Sequence, residues 1–404
     1  MNSLRFVVLG GCCLGLPAVQ AISLFDTAPR VGLPESYPVR WTLSLGVGYD
    51  DNVNTINRSS KYHKGSWFVD YALGSSYSDQ DSMTSLAYQA RLGGSLYTQN
   101  EGSSRKDNAL DNSELAVDLT HRFDSTLTYT TRNSISYRDE TNYSLALSAV
   151  DLDGTVFTCV SSHSLAKAWD PRWSSTTTFR YNGVFYSDME RPSYDNRQYF
   201  NLSQAVSFRE NTRTSYIGTV RGQIVEREWG NDNKSLYLTG GVDYSLSPVS
   251  SCNVTLGAQL KVQSGSDNMW TPTVNMGYNR TVAGRMNINA YVAYSNESVG
   301  TYYYHSNYAS NMCWRLGVRV TQPITHVLSL HYGISAVSSR YGDSGTETAP
   351  AYTDKTYRLD AGLTLRHTSN ISSHVSYSFT DARRPRNGWN YVRSIWKYSL
   401  KYTF

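Results

Sequence analysis

Three groups of residues have side chains suited to chemistry. Asp50-Asp51-Asn52 with Asn54 offers hard oxygen ligands of the kind that hold Ca²⁺. The stretch lacks the central glycine and distal glutamate of a calcium loop, so an ordinary acidic loop explains it better. His163 lies between Ser162 and Ser164, and His374 follows Ser373. A serine beside a histidine begins a hydrolytic dyad, yet serine is so abundant here that such neighbours arise by chance. The chain is therefore not expected to be an enzyme, nor to hold a metal or cofactor. The third group is cationic and repeats along the chain: Arg40, Arg91, Arg122, Arg132, Arg180, Arg221, Lys261, Arg315, Arg319, Arg358, Arg366, Lys397 and Lys401. One surface lined by these would favour anions.

What would place them on one surface is a two-residue period. In Trp41-Thr42-Leu43-Ser44-Leu45-Gly46-Val47-Gly48-Tyr49, every odd position is apolar or aromatic. A strand with this alternation shows one face to an apolar medium and the other to water. Its aromatic ends stand roughly 20 Å apart in height at a tilt near 40°, enough for the two rings to mark two membrane interfaces. The same period recurs near 65–77, 84–97, 113–123, 126–138, 155–167, 173–186, 198–208, 214–226, 235–246, 252–263, 270–280, 286–295, 311–321, 326–337, 355–366, 373–380 and 390–404. That predicts an all-β fold, a transmembrane antiparallel up-and-down β-barrel of eighteen strands. Sixteen is the alternative count, because the segment near 155–167 is serine-rich and that near 270–280 contains Pro272. Connections after even-numbered segments are short and several after odd-numbered ones are long, the asymmetry between periplasmic turns and outer loops. A soluble sandwich or propeller also has short strands, but no propeller-length repeat is present.

The mean hydropathy of −0.46 gives no sign of a membrane protein, because only every second barrel residue meets lipid. The 32 Tyr and 9 Trp suit aromatic girdles, and the 5 Cys include two in the first thirteen residues and three, Cys159, Cys252 and Cys313, without metal spacing. The formal charge of +4 is too small to suggest a nucleic-acid partner. Residues 1–21 read as a signal peptide, with Arg5, an apolar run to Leu16 and Val19-Gln20-Ala21 before the cut. Residues 22–38, with Pro29, Pro34 and Pro38, read as a periplasmic tail, and 39–404 as the barrel. The closing strand, Trp396-Lys397-Tyr398-Ser399-Leu400-Lys401-Tyr402-Thr403-Phe404, resembles the assembly signal of bacterial outer-membrane barrels, read at Phe404 by the insertion machinery.

With the apolar residues outward, the cations named above point inward together with Asp70, Glu114, Asp118, Asp243 and Asp360. The cations outnumber those carboxylates, which predicts an anion-favouring lumen. Pairing that merely stiffens the wall is the plainer explanation. Two outer loops are candidate binding surfaces. Tyr302, Tyr303 and Tyr304 could stack on sugars, and Arg383, Arg384 and Arg386 could grip phosphate, most simply that of lipopolysaccharide.

Leu45-Gly46-Val47-Gly48-Tyr49-Asp50-Asp51-Asn52-Val53, a first strand ending in Gly-Tyr-Asp-Asp-Asn, resembles the start of a β-barrel porin family found beside exopolysaccharide synthesis and export genes. The resemblance implies an outer-membrane conduit for a secreted, often anionic, polysaccharide, working with periplasmic export components. A general diffusion porin for small anions is the alternative, and a structural or adhesive surface barrel with a closed lumen is the third.

Overall fold

The computed structural model describes residues 39–53, 57, 59–60, 63–98, 110–138, 156–186, 196–228, 232–263, 268–282, 285–297, 310–342, 351–383 and 390–404. The signal peptide and tail expected over 1–38 lie outside the described residues, as do Asn54, Tyr302, Tyr303, Tyr304, Arg384 and Arg386.

Eighteen antiparallel strands run in chain order: β1 Val39–Asp50, β2 Ser66–Gln80, β3 Thr84–Tyr97, β4 Asn112–Arg122, β5 Leu127–Arg138, β6 Val156–Ala168, β7 Trp173–Tyr186, β8 Arg197–Arg209, β9 Thr214–Arg227, β10 Asn233–Ser247, β11 Ser250–Gln263, β12 Met269–Val282, β13 Met286–Glu297, β14 Ser310–Pro323, β15 Leu328–Gly342, β16 Tyr352–Arg366, β17 Ile371–Arg383 and β18 Tyr391–Thr403. Each pairs with its neighbours in sequence, and β1 also pairs with β18, so the sheet closes into a barrel. Closure gives every strand a partner on both sides, as a sheet in hydrocarbon requires.

The outward face is the apolar one. Leu45, Leu202, Leu238 and Ile334 are 53%, 58%, 63% and 59% exposed, and apolar residues repeated in this way around one face suit a lipid-facing wall. Aromatic pairs border this band. Tyr49 packs on Trp67, Tyr377 on Trp396 and Tyr294 on Trp314 toward the long-loop rim, and Trp173 packs on Phe208 toward the short-turn rim.

The short turns share one device. Asp124, Asp170 and Asn211, and the hydroxyls of Thr325 and Thr368, each accept hydrogen bonds from the backbone N–H groups two and three residues on. A short polar side chain closing its own turn fixes the register of the hairpin that follows. At Asp124 the Thr126 hydroxyl, with the Thr126 and Leu127 amides, holds the carboxyl below its ordinary value.

The seam between β1 and β18 is locked by the motif that ends β1. The buried Asp50 carboxylate accepts from Arg393 Nε at 3.1 and 3.0 Å and from Nη2 at 2.5 Å. Asp51 accepts the Ser394 amide at 2.6 Å, and Asn52 donates to the Val392 carbonyl at 2.9 Å. A Cβ at Gly48 would overlap the Phe68 ring and the Trp396 carbonyl, so only glycine permits this approach. The acidic stretch thus takes part in closing the barrel.

Pro272 sits in β12 after all. Pairing of β12 with β13 reaches only to Val274 opposite Tyr294, so the proline lies on a locally unpaired edge, where its missing N–H costs nothing. Beyond that point the end of β13 leaves β12 and leans across it toward β11. The Gln259 side chain of β11 receives it, donating to the Asn296 carbonyl at 2.7 Å and accepting the Asn296 amide at 3.1 Å. A carboxamide here replaces the backbone of the missing strand pairing. Lys261 adds a bond to the Glu297 carbonyl at 3.0 Å.

Candidate functional site

The site is the inner wall. Residues directly opposite on paired strands share a face, and the register carries one inward set around the barrel. Gly74 stands opposite Arg91, Arg91 opposite Glu114, Asp118 opposite Arg132, Arg132 opposite Ser162 and Ser162 opposite Arg180. Further round, Ser203 faces Arg221, Arg221 faces Tyr237, Ser235 faces Lys261, Ala293 faces Arg315, Asn289 faces Arg319 and Ser335 faces Arg358. Arg366 shares the Arg358 face of β16, and Lys397 and Lys401 stand opposite Gly48 and Ser44. All the cations assigned to the lumen by periodicity therefore face it.

The inward set is larger than periodicity indicated. Arg138, Arg197, Arg227 and Arg393 join the cations, while Asp50, Glu297 and Asp354 join the carboxylates. All of these lie at or near strand ends on the long-loop side. There the wall rises past the lipid band and the outward positions no longer need to be apolar, so alternation gives no sign of the strand. Glu297, at the end of β13, lies beyond the segment expected near 286–295 for this reason.

Several cations are tied to carboxylates. Arg138 meets Glu114 at 2.5 Å, Arg132 meets Asp118 at 3.4 Å, Arg315 meets Glu297 at 2.5 Å and Arg358 meets Asp360 at 2.9 Å. Lys397 pairs with Asp70, and Arg221 lies over the Tyr237 ring, 3.8 Å from its centroid. Pairing that stiffens the wall is thus part of the answer. Arg40, Arg122, Arg319 and Arg366 make no ion pair among the described residues, so a surplus of positive charge faces the lumen.

Burial is uneven along the lumen. Toward the long-loop rim Arg197, Gln259, Lys261, Asn311, Tyr341 and Asp354 are buried, whereas toward the short turns Ser78, Asp118, Arg122, Arg132 and Arg209 are exposed. The passage is crowded at one end and open at the other. On the far wall His331 and His374 stack 4.9 Å apart over Gly362, where a Cβ would collide with His331.

The serine–histidine neighbours do not form dyads. Ser162 and Ser164 face the lumen while His163 faces outward and bonds Tyr129, and His374 faces inward while Ser373 faces outward. Consecutive strand residues necessarily point to opposite faces. Ser373 instead meets His367 Nε2 at 2.8 Å across a turn, and no carboxylate among the described residues orients that imidazole. Cys159, Cys252 and Cys313 are free thiols on β6, β11 and β14.

The other candidates are distributed at the rims. Arg383 faces outward, its guanidinium held by Asp381 at 3.0 and 2.7 Å and lying over the Tyr357 ring. Two of its donating nitrogens are therefore already engaged. Phe404 exchanges backbone hydrogen bonds with Trp41, both 2.9 Å, and stacks on Tyr402.

Fold and lumen together define a transmembrane β-barrel with a polar, predominantly basic interior. No family model matches the chain, and no curated protein matches it. Solved structures with partial likeness include Pseudomonas aeruginosa OpdK crystallised with vanillate, 12% identical over 91% of this chain and 99% of that one, TM-score 0.47. Others are Acinetobacter baumannii OccAB3, 8% identical over 91% and 99%, TM-score 0.46, and the Pseudomonas aeruginosa siderophore receptor PirA, 10% identical over 91% and 80%, TM-score 0.43. Likeness at this level says nothing about cargo.

Proposed function

We propose that the protein is a passive channel of the bacterial outer membrane whose lumen favours anionic solutes. The observation that carries this reading is the surplus of inward cations, Arg319 among them, on the inner face of a closed wall of low-dielectric protein and lipid. Charge of one sign in such a passage concentrates ions of the other. Planar-bilayer recordings in a salt gradient should give a reversal potential that favours anions. Arg319→Gln with Arg366→Gln should move it toward zero, and high salt should do the same as the Debye length falls from about 10 Å at 0.1 M to about 3 Å at 1 M. A cation-selective pore would refute the reading, and a barrel that passes no current would favour a closed, structural or adhesive surface protein.

An anionic polysaccharide passing in extended form is a second reading. The basic lining would suit it, and the resemblance carried by residues 45–53 implies it. In this structure, however, Gly48, Asp50, Asp51 and Asn52 of that stretch act at the seam, and crowding toward the long-loop rim suits small solutes better. Conductance block by uronic-acid oligomers of increasing length separates the two. Block that strengthens with length to long polymers favours the conduit, and block by monomers alone favours the small-anion channel.

Phe404 is proposed as the residue read during membrane insertion, and it also completes the ladder to Trp41. Deleting it should abolish accumulation in the outer-membrane fraction, while removal of residues 22–38 should not. Normal levels of the deletion variant would exclude that role.

A further inference from the structure

The outward surface of the barrel is apolar or aromatic through its middle and carries scattered single charges toward its ends, such as Lys167, Lys234 and Arg280, whereas at the long-loop rim of β15, β16 and β17 three outward cations gather. Arg340, Lys355 and Arg383 all point outward there and are all exposed. Lys355 stands directly opposite Arg383 in the ladder, a spacing of about 5 Å between Cβ atoms, at which like charges repel. Arg340 stands opposite Thr353, two residues from Lys355 on the same face of β16, a diagonal separation of roughly 7 to 8 Å. Among the described residues one carboxylate, Asp381, answers these three cations, and it is engaged through Nε and Nη2 of Arg383. Arg340 and Lys355 make no ion pair among the described residues.

The level of the cluster is as informative as its charge. Lys355 lies two residues beyond Tyr357 on the long-loop side, and the Arg383 guanidinium rests 5.6 Å from the centroid of that ring. Tyr357 belongs to the aromatic border of the lipid band, so the cations begin where acyl chains end, at the depth of lipid phosphates. Other strands end on Trp67, Phe157, Phe185 or Trp270 on the same side, which mark an interface without gathering charge. Three close cations with one carboxylate among the described residues favour the approach of an anion. Two phosphates on one headgroup match that geometry, Arg through its remaining N–H groups and Lys as a point charge.

We propose that the outward rim of β15–β17 is a docking site for the phosphorylated glycolipid of the outer leaflet, with Arg340 and Lys355 as phosphate ligands and Arg383 held in place by Asp381. The proposal rests on the outer-membrane placement made above but not on the lumen, and its test reads lipid retention rather than current. The folded barrel in detergent micelles is titrated with bisphosphorylated lipid A, dephosphorylated lipid A or phosphatidylglycerol, and bound lipid is counted by native mass spectrometry.

The expected result is a retained lipid A adduct that Arg340→Gln with Lys355→Gln weakens roughly a hundredfold, since each of the two lost charge-assisted contacts is worth about 1.5 kcal/mol. Lys234→Gln, an isolated outward cation on β10, should leave retention unchanged, as should the lumen variant Arg319→Gln. Equal retention by the double variant would overturn the proposal. So would equal retention of dephosphorylated lipid A, which would mean acyl packing alone, or of phosphatidylglycerol, which would mean general attraction to anionic lipid. Failure of the channel reading would appear instead as lost anion preference with lipid A retention intact.

Discussion

Replacing Asp50 with Asn should lower the unfolding free energy of the barrel by about 3 to 5 kcal/mol, because it strips the counter-charge from a guanidinium buried in the wall. Asp50 is 0% and Arg393 5% exposed. The pair joins residues from the two ends of the ladder through three hydrogen bonds. An asparagine of the same shape keeps one acceptor oxygen but removes the negative charge that faces Arg393, and it surrenders part of the bond from the Asn52 amide at 3.0 Å. The surface pair of Arg383 and Asp381 is the comparison. Arg383 is 62% exposed in its side chain, so Arg383→Gln should cost under about 1 kcal/mol. Urea unfolding in detergent, followed by tryptophan fluorescence, measures both. A loss below about 1 kcal/mol for Asp50→Asn would show that the seam does not depend on this pair.

A large cost is also expected for charge on the outer wall. Leu45→Arg and Leu238→Arg each place a cation near mid-depth on the lipid face and should cost about 2 to 4 kcal/mol. Thr239→Arg, one residue further along β10, points into the lumen between Thr219 and Gly257, where an arginine has water and small neighbours. Its cost should be about 1 kcal/mol or less. Adjacent positions differ so sharply because the side-chain period is two. Folding titrations into phospholipid vesicles provide the comparison, and a reversed order would mean that β10 is read one residue out of register.

These expectations draw on features that differ in how plainly the sequence shows them. Trp41, Leu43, Leu45 and Val47 announce β1 because water and lipid impose opposite demands on alternate residues, and every lumen cation inferred from that alternation faces inward. Strand ends are less legible. Glu297, Asp354 and Arg197 lie where the wall has passed beyond the lipid, so nothing constrains their outward neighbours. Pro272 argued against a strand that exists, because the departure of β13 from β12 cannot be read locally. The partnership of Asp50 with Arg393 is hidden too, since alternation assigns a face but not a level, and these residues stand 343 positions apart. Asp124, Asp170 and Asn211, by contrast, act on their own backbone, and their role lies within four consecutive residues.

That difference between local and distant contacts has a kinetic meaning. Seventeen of the eighteen strand pairings join neighbours along the chain, so each costs only the entropy of closing a short or moderate loop. The remaining one, β1 with β18, joins Trp41 to Phe404 and carries the longest closure in the molecule. Hairpins capped by their own turns can accumulate as a curved, open ribbon, and the event that converts ribbon into cylinder is the meeting of its two free edges. A high-barrier last step with a strong buried ion pair at its finish makes opening slow as well as closing, so the lifetime of the finished barrel is governed by a single strip of wall.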